Sequence, residues 1–296
     1  MTGFLKGLAT AMITPFHESG VNFDEFGKMT EYQIEGGADA LVVLGTTGEP
    51  ATMSQEEKRA LMEYAVKKAD KRVKIIIGTG GNNTAKAVEN SILAEKIGAD
   101  GILVVTPYYN KCTQEGLYIY YKTICEAVSI PVICYNVPGR TGVNILPETM
   151  EKITRIPNVA GIKEASGNMA QVLETARLIR GKCDLYSGED MLNLPILASG
   201  GTAVISVVSN LVPDRVKELC TAVEQGDFQK AIALHDNLIP LTKACFLEVN
   251  PIPAKAGMNL LGFAAGEPRA PLTPLEPNHT EILKTVMKQY GLKVKA

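Results

Sequence analysis

Eight short runs rich in valine and isoleucine, each closed by Gly, Thr, Ser, Asn or Pro, are followed by stretches long enough for a helix. That pattern predicts an α/β fold, a (β/α)8 TIM barrel with a small C-terminal all-helical domain. The long crossovers call for parallel strands, since a two-residue hairpin joins only antiparallel ones. The runs are apolar throughout rather than alternating, as expected of a parallel sheet buried on both faces.

In chain order the predicted strands cover residues 8–13, 40–44, 73–77, 101–105, 131–135, 159–163, 183–186 and 202–207. Helix starts are marked in two places. Ser54-Gln55-Glu56-Glu57 has the pattern of a capping box, and Pro147 sits where a first helical turn tolerates proline. A doubly wound open sheet is the competing architecture. It loses ground because Gly78-Thr79-Gly80-Gly81-Asn82-Asn83 lacks the third glycine of a dinucleotide fingerprint, and no P-loop appears. After the eighth strand the chain continues well beyond one closing helix. Residues 227–248, 251–261 and 279–290 read as helices, with the proline-rich stretch 268–277 separating the last two. The expected division is a catalytic barrel over residues 1–223 and a helical domain over 224–296, the latter structural or oligomeric because it carries no chemical constellation.

Of the 296 residues, 46% are hydrophobic and 21% charged, which is ample for a large core. The net charge of −2, with acids and bases interspersed, argues against nucleic acid or an anionic membrane surface as partner. The longest apolar runs are strand-length, so no transmembrane helix is expected. Met1-Thr2-Gly3-Phe4-Leu5-Lys6 lacks the charged-then-apolar layout of a signal peptide, and a cytoplasmic protein is the natural expectation. The six cysteines form no CxxC pair and have no nearby histidine, so buried reduced thiols are expected rather than disulfides or zinc. His17, His235 and His279 are scattered and predict no metal cluster.

A barrel places its chemistry where strands end. Here those ends read Thr14-Pro15-Phe16, Gly45-Thr46-Thr47-Gly48-Glu49, Thr106-Pro107-Tyr108-Tyr109-Asn110, Tyr135-Asn136, Lys163-Glu164 and Ser187-Gly188-Glu189-Asp190. Lys163 is the most informative of these, because strands deplete lysine and its ammonium is costly to desolvate. A lysine on a strand end more often lays its stem along apolar surface and reaches solvent with its head. Held in a dry mouth, however, the neutral amine can attack a ketone and form an imine. Imine chemistry needs a proton shuttle, and Tyr135 ends the preceding strand. The bland alternative is a tyrosine that only satisfies its hydroxyl. Thr46 and Thr47 between glycines can form a small nest for a carboxylate, or serve as an ordinary helix cap. Arg140, between Gly139 and Gly142 on the loop after Tyr135, offers a fixed bidentate fork, against the alternative of plain solvation.

These segments, with Tyr135-Asn136-Val137-Pro138-Gly139-Arg140-Thr141-Gly142 and Gly161-Ile162-Lys163-Glu164-Ala165-Ser166, closely resemble the dihydrodipicolinate synthase family. The likeness runs from about Leu5 into the C-terminal helices. It implies a class I aldolase barrel that condenses pyruvate with L-aspartate 4-semialdehyde, feeding diaminopimelate and lysine synthesis, with no metal or organic cofactor. Carried over by position, the resemblance makes Lys163 the Schiff-base residue and Tyr135 the general acid–base, coupled through Thr46 to Tyr109 of a neighbouring subunit. Thr47 would hold the pyruvate carboxylate, Gly188 and Ile205 would line the pocket, and Arg140 would hold the semialdehyde carboxylate. A homo-oligomer follows, at least a dimer and in fuller form a tetramer. The family's lysine-inhibition site would fall on Gln55, Lys58 and Lys86, where two extra positive charges predict weak or absent feedback, although Ala51, Asn82 and Tyr108 still fit it. Competing readings are a sister aldolase, such as N-acetylneuraminate lyase or a keto-deoxy sugar acid aldolase, and a catalytically silent metabolite-binding relative. The Pro-Gly-Arg-Thr-Gly loop and the Thr-Thr pair argue against the sister enzymes. The intact Lys163, Tyr135 and Thr46 argue against the silent relative.

Overall fold

In the computed structural model, which describes residues 1–295, the eight strands close into a single parallel barrel. They are β1 (Gly7–Ala11), β2 (Ala40–Val43), β3 (Lys74–Gly78) and β4 (Gly101–Val105). The second half comprises β5 (Val132–Asn136), β6 (Val159–Glu164), β7 (Asp184–Ser187) and β8 (Ala203–Ser206). Closure is explicit, because β1 pairs with β2 on one side and β8 on the other. An open doubly wound sheet would leave two edges, so that alternative is excluded.

Strand register decides what the barrel mouth contains. Neighbours in a parallel ladder share a face of the sheet. Val105 pairs with Tyr135, Tyr135 with Lys163, and Lys163 with Tyr186. Ile205 joins this face, lying two residues beyond Ala203, the partner of Tyr186. The buried Tyr186 ring fills the space beneath the lysine. A Cβ on Gly161 would come within 2.5 Å of that ring, so glycine is needed there.

Besides a four-residue helical turn at Pro138–Thr141 after β5, which carries Arg140, eight helices alternate with the strands. These are α1 (Phe23–Glu35), α2 (Gln55–Ala69), α3 (Thr84–Ile97), α4 (Gln114–Glu126), α5 (Pro147–Ile153), α6 (Met169–Ile179), α7 (Asn193–Ala198) and α8 (Pro213–Glu224). The Ser54 capping box forms in full with Glu57, and Pro147 occupies the first turn of α5. Three further helices follow, α9 (Phe228–Ala244), α10 (Ile252–Leu261) and α11 (Pro277–Gln289). Helix α9 packs on α8 and α11, and α10 packs on α11. Among the described residues no helix is long and apolar enough to cross a membrane. Five of the six cysteines are buried and all six are free thiols.

Candidate active site at the barrel rim

A cavity of about 370 Å³ opens at the C-terminal ends of the strands, walled by Thr46, Val105, Tyr108, Tyr135, Arg140 and Asn250 among others. Lys163 lies behind the tyrosine, nearly buried, with Nζ 4.3 Å from the Tyr135 ring centroid. Its stem runs along Gly188. A Cβ at that glycine would stand 2.7 Å from Lys163 Cγ and 2.8 Å from Cε, so the bare backbone of residue 188 is what leaves room for the amine. Next to Lys163 at the end of β6, Glu164 is buried and accepts hydrogen bonds from Ser166 N at 2.7 Å and Asn136 Nδ2 at 3.1 Å. Burial holds its carboxyl above the ordinary range despite those donors.

The loop after β7 adds two acids. Asp190, buried, accepts from the backbone N–H of Val207 and Val208 at 2.8 and 2.9 Å, tying this loop to the end of β8. Glu189 has its carboxyl pushed up by burial and by Asp190, with Lys163 pulling the other way. The rim is therefore built to be partly dry.

The loop after β2 is held differently. Thr46–Gly48 forms a single 3-10 turn, and Glu49 takes a left-handed conformation with φ of 55°. Thr14 Oγ1 donates to Gly48 O at 2.8 Å. Glu49 Oε1 meets Lys255 Nζ at 2.7 Å, both side chains essentially without exposure, and Glu49 Oε2 accepts from Arg269 N at 2.8 Å. Burial pushes the Lys255 ammonium down from its ordinary value, against the attraction of Glu49. Asn250 Nδ2 donates to Thr47 Oγ1 at 2.9 Å, and Arg140 Nη2 donates to Asn250 O at 3.0 Å.

Thr46, Tyr135 and Arg140 are thus brought to one cavity, with Lys163 and Gly188 behind Tyr135, Thr47 bonded to Asn250, and Ile205 on the same inner face of the barrel. Tyr109 is not among them. It stands 91% exposed at φ of 68°, a strained conformation for an aromatic residue, and among the described residues its side chain makes no hydrogen bond. The C-terminal region, expected to be structural or oligomeric, also supplies holding contacts at the rim. Asn250, Lys255 and Arg269 all reach the rim, and a fully buried lysine needs an anion, which is why Lys255 finds Glu49. Lys255, standing between Ala254 and Ala256 in a helix whose one other polar side chain is Asn259, is the signal the sequence offered, although it names no partner. His279 is likewise less isolated than its spacing implied. Its Nδ1 lies 2.7 Å from Glu248 Oε1, with Glu276 adjoining.

The family model described as "Dihydrodipicolinate synthetase family" matches residues 4–290. This chain belongs to that family. The 4-hydroxy-tetrahydrodipicolinate synthase 1 of Clostridium acetobutylicum is 49% identical over 287 residues, covering 97% of this chain and 98% of the relative. Among solved structures, dihydrodipicolinate synthase from Aquifex aeolicus superposes with a TM-score of 0.97 at 43% identity, covering 99% of this chain and 100% of that one. A monomeric dihydrodipicolinate synthase variant matches with a TM-score of 0.96 at 44% identity, covering 98% of both chains. As in any family of this kind, membership fixes the fold more firmly than the duty of each rim residue.

Proposed function

We propose that the protein condenses pyruvate with L-aspartate 4-semialdehyde through a lysine Schiff base, giving 4-hydroxy-tetrahydrodipicolinate for diaminopimelate and lysine synthesis. The observation that carries this is the nearly buried Lys163 amine 4.3 Å from the Tyr135 ring, at the mouth of a barrel whose relatives carry that enzyme's name over nearly their whole length. That length of agreement favours the synthase over a sister aldolase.

Lys163 Nζ attacks the pyruvate ketone, and water leaves to give the imine. A proton lost from the methyl carbon yields an enamine, whose carbon bonds to the aldehyde carbon of the second substrate. The aldehyde oxygen takes up a proton and becomes the hydroxyl. The new molecule's amine then displaces Nζ and closes the ring, returning the lysine free. Tyr135 relays the protons, with Thr46 coupling it to Tyr109 of a partner subunit. Thr47 holds the pyruvate carboxylate, Gly188 and Ile205 shape the pocket, and Arg140 holds the semialdehyde carboxylate. No step is a redox step, so the sequence of events calls for no redox cofactor.

The exposed, strained Tyr109 supports a homo-oligomer, a dimer at least and a tetramer in its fuller form. Mixing Tyr109→Phe with Lys163→Ala subunits should then restore activity that neither has, and exchange without recovery would remove the shared site. The division into a 1–223 barrel and a 224–296 helical unit is part of the same proposal, supported by the end of α8 at Glu224. So is a cytoplasmic setting, supported by six free thiols. Borohydride reduction with pyruvate tests the central claim. A three-carbon adduct on Lys163 is expected, lost in Lys163→Ala together with turnover in a coupled assay. An adduct on another lysine, or full activity in Lys163→Ala, overturns it.

A further inference from the structure

Thr47 does not stand alone as a ligand. It is 3% exposed, and its hydroxyl oxygen accepts a hydrogen bond from Asn250 Nδ2 at 2.9 Å across 203 residues of sequence. A threonine hydroxyl has one proton to give and two sites at which to accept. With an N–H already directed at the oxygen, the proton is turned elsewhere and is available to a negatively charged ligand. Asn250 itself is nearly buried and forms part of the cavity wall. Its amide is held by Nδ2 alone, because Oδ1 is buried without a partner among the described residues. Its backbone oxygen accepts from Arg140 Nη2 at 3.0 Å. One residue therefore touches both of the groups assigned to carboxylates.

We infer that Asn250 is a positioning residue, which fixes the Thr47 hydroxyl as a donor to the pyruvate carboxylate and anchors the Arg140 fork beside it. This rests on the synthase reading, in which Thr47 and Arg140 serve the two substrates. Its support is geometric. The segment carrying Asn250 is itself pinned by Lys255, whose ammonium is 2.7 Å from Glu49 on the loop that carries Thr47. Loop and segment are held to each other at both ends, and the side chain of Asn250 lies between them.

The test sets two substitutions against each other. Asn250→Ala removes the donor. Asn250→Asp keeps the shape but can only accept, so it draws the Thr47 proton to itself and adds negative charge beside the carboxylate site. Steady-state kinetics should show the pyruvate KM raised about tenfold in Asn250→Ala, as for the loss of one hydrogen bond to a charged group. The rise should be larger in Asn250→Asp, with kcat changed much less than KM in both. In a Thr47→Val background Asn250→Ala should not add appreciably, since the hydroxyl it acts through is gone, and Asn250→Asp should keep only the part of its effect that comes from its charge. If Asn250→Ala yields no folded protein, Asn250→Ser takes its place with the same expectation, because its hydroxyl is too short to reach Thr47.

A pure packing role predicts the reverse order, with the isosteric Asn250→Asp the milder change, and it predicts an Asn250→Ala effect fully additive to Thr47→Val. Either result overturns the inference. Borohydride trapping of the unsubstituted enzyme with pyruvate separates the two layers. No trapping sinks the synthase reading, whereas normal trapping with an unchanged pyruvate KM in the Asn250 variants sinks only this one.

Discussion

The two walls of the rim are built on opposite principles. Tyr135 and Lys163 project from adjacent strands whose ladder fixes them residue against residue, so their geometry follows from the barrel itself. Thr46 and Thr47 sit on a loop with a left-handed residue at its end, and beyond one hydrogen bond from Thr14 the groups that steady it arrive from more than 200 residues downstream. The reacting groups are local to the sheet. The cradle opposite them is a tertiary product, held by a buried ion pair, the Asn250 amide, and hydrogen bonds from Thr14 and the Arg269 N–H. A site can thus keep its chemistry while losing its grip, and the two failures are separable by experiment.

The sharpest way to break this contrast is to remove the buried cation. Lys255→Met leaves the Glu49 carboxylate in a dry site with the Arg269 N–H as its recorded donor. Stranding one member of a buried pair costs about 3–5 kcal/mol. Thermal melting should fall by roughly 10 °C for a chain of this size, and the pyruvate KM should rise as the Thr47 loop loosens. Combining it with Glu49→Gln should recover most of the stability. A single variant that melts like the parent would mean the loop is steadied some other way.

The strand wall is probed at Gly188. Because a Cβ there would lie 2.7 Å from Lys163 Cγ, Gly188→Ala must push the lysine stem aside. A shift of about 1 Å at a reacting group can cost on the order of a hundredfold in rate. The loss is expected in kcat, with melting little changed, which is the opposite signature to that of Lys255→Met. Damage confined to substrate binding would undo the contrast between the walls.

Arg140 belongs to neither wall. One nitrogen of its fork is spent on Asn250 O, and the others remain for a ligand. Arg140→Ala should raise KM for the semialdehyde tenfold or more, since a charge-assisted hydrogen bond contributes about 1.5–3 kcal/mol. Pyruvate KM should move far less. An equal effect on both substrates would reassign the residue to the pyruvate carboxylate.

The same contrast explains what could be read from the chain before its structure. Strand limits were legible to within two residues, because parallel strands buried on both faces leave continuous apolar runs. Lys163 was legible because a lysine ending such a run is chemically out of place. Asn250 gave no local signal, and Lys255, though out of place in a mostly apolar helix, names no partner 206 residues away. Tyr109 stood out in the sequence as one of two adjacent tyrosines after Thr106-Pro107, but its cross-subunit role came only from the family likeness. Among the described residues its 91% exposure has no local cause.

The smallest expected effect is that of L-lysine. The resemblance placed an inhibitor site on Gln55, Lys58 and Lys86, with two added cations opposing a cationic ligand. The structure divides their contributions. Lys86 is exposed and tied to Glu89 at 2.6 Å, so its charge is largely offset and screened where it stands. Lys58 is half-buried and lines the same cavity as Ala51 and Tyr108, with its ammonium disfavoured by burial. The repulsion therefore falls mainly on Lys58, in a site already short of water. Millimolar L-lysine should leave turnover unchanged at saturating pyruvate. Lys58→Gln should then admit weak inhibition, whereas Lys86→Gln should not, because removing an offset surface charge alters the cavity little. Clear inhibition of the unsubstituted protein at sub-millimolar lysine would show that Lys58 swings clear of the ligand and that charge does not govern this site.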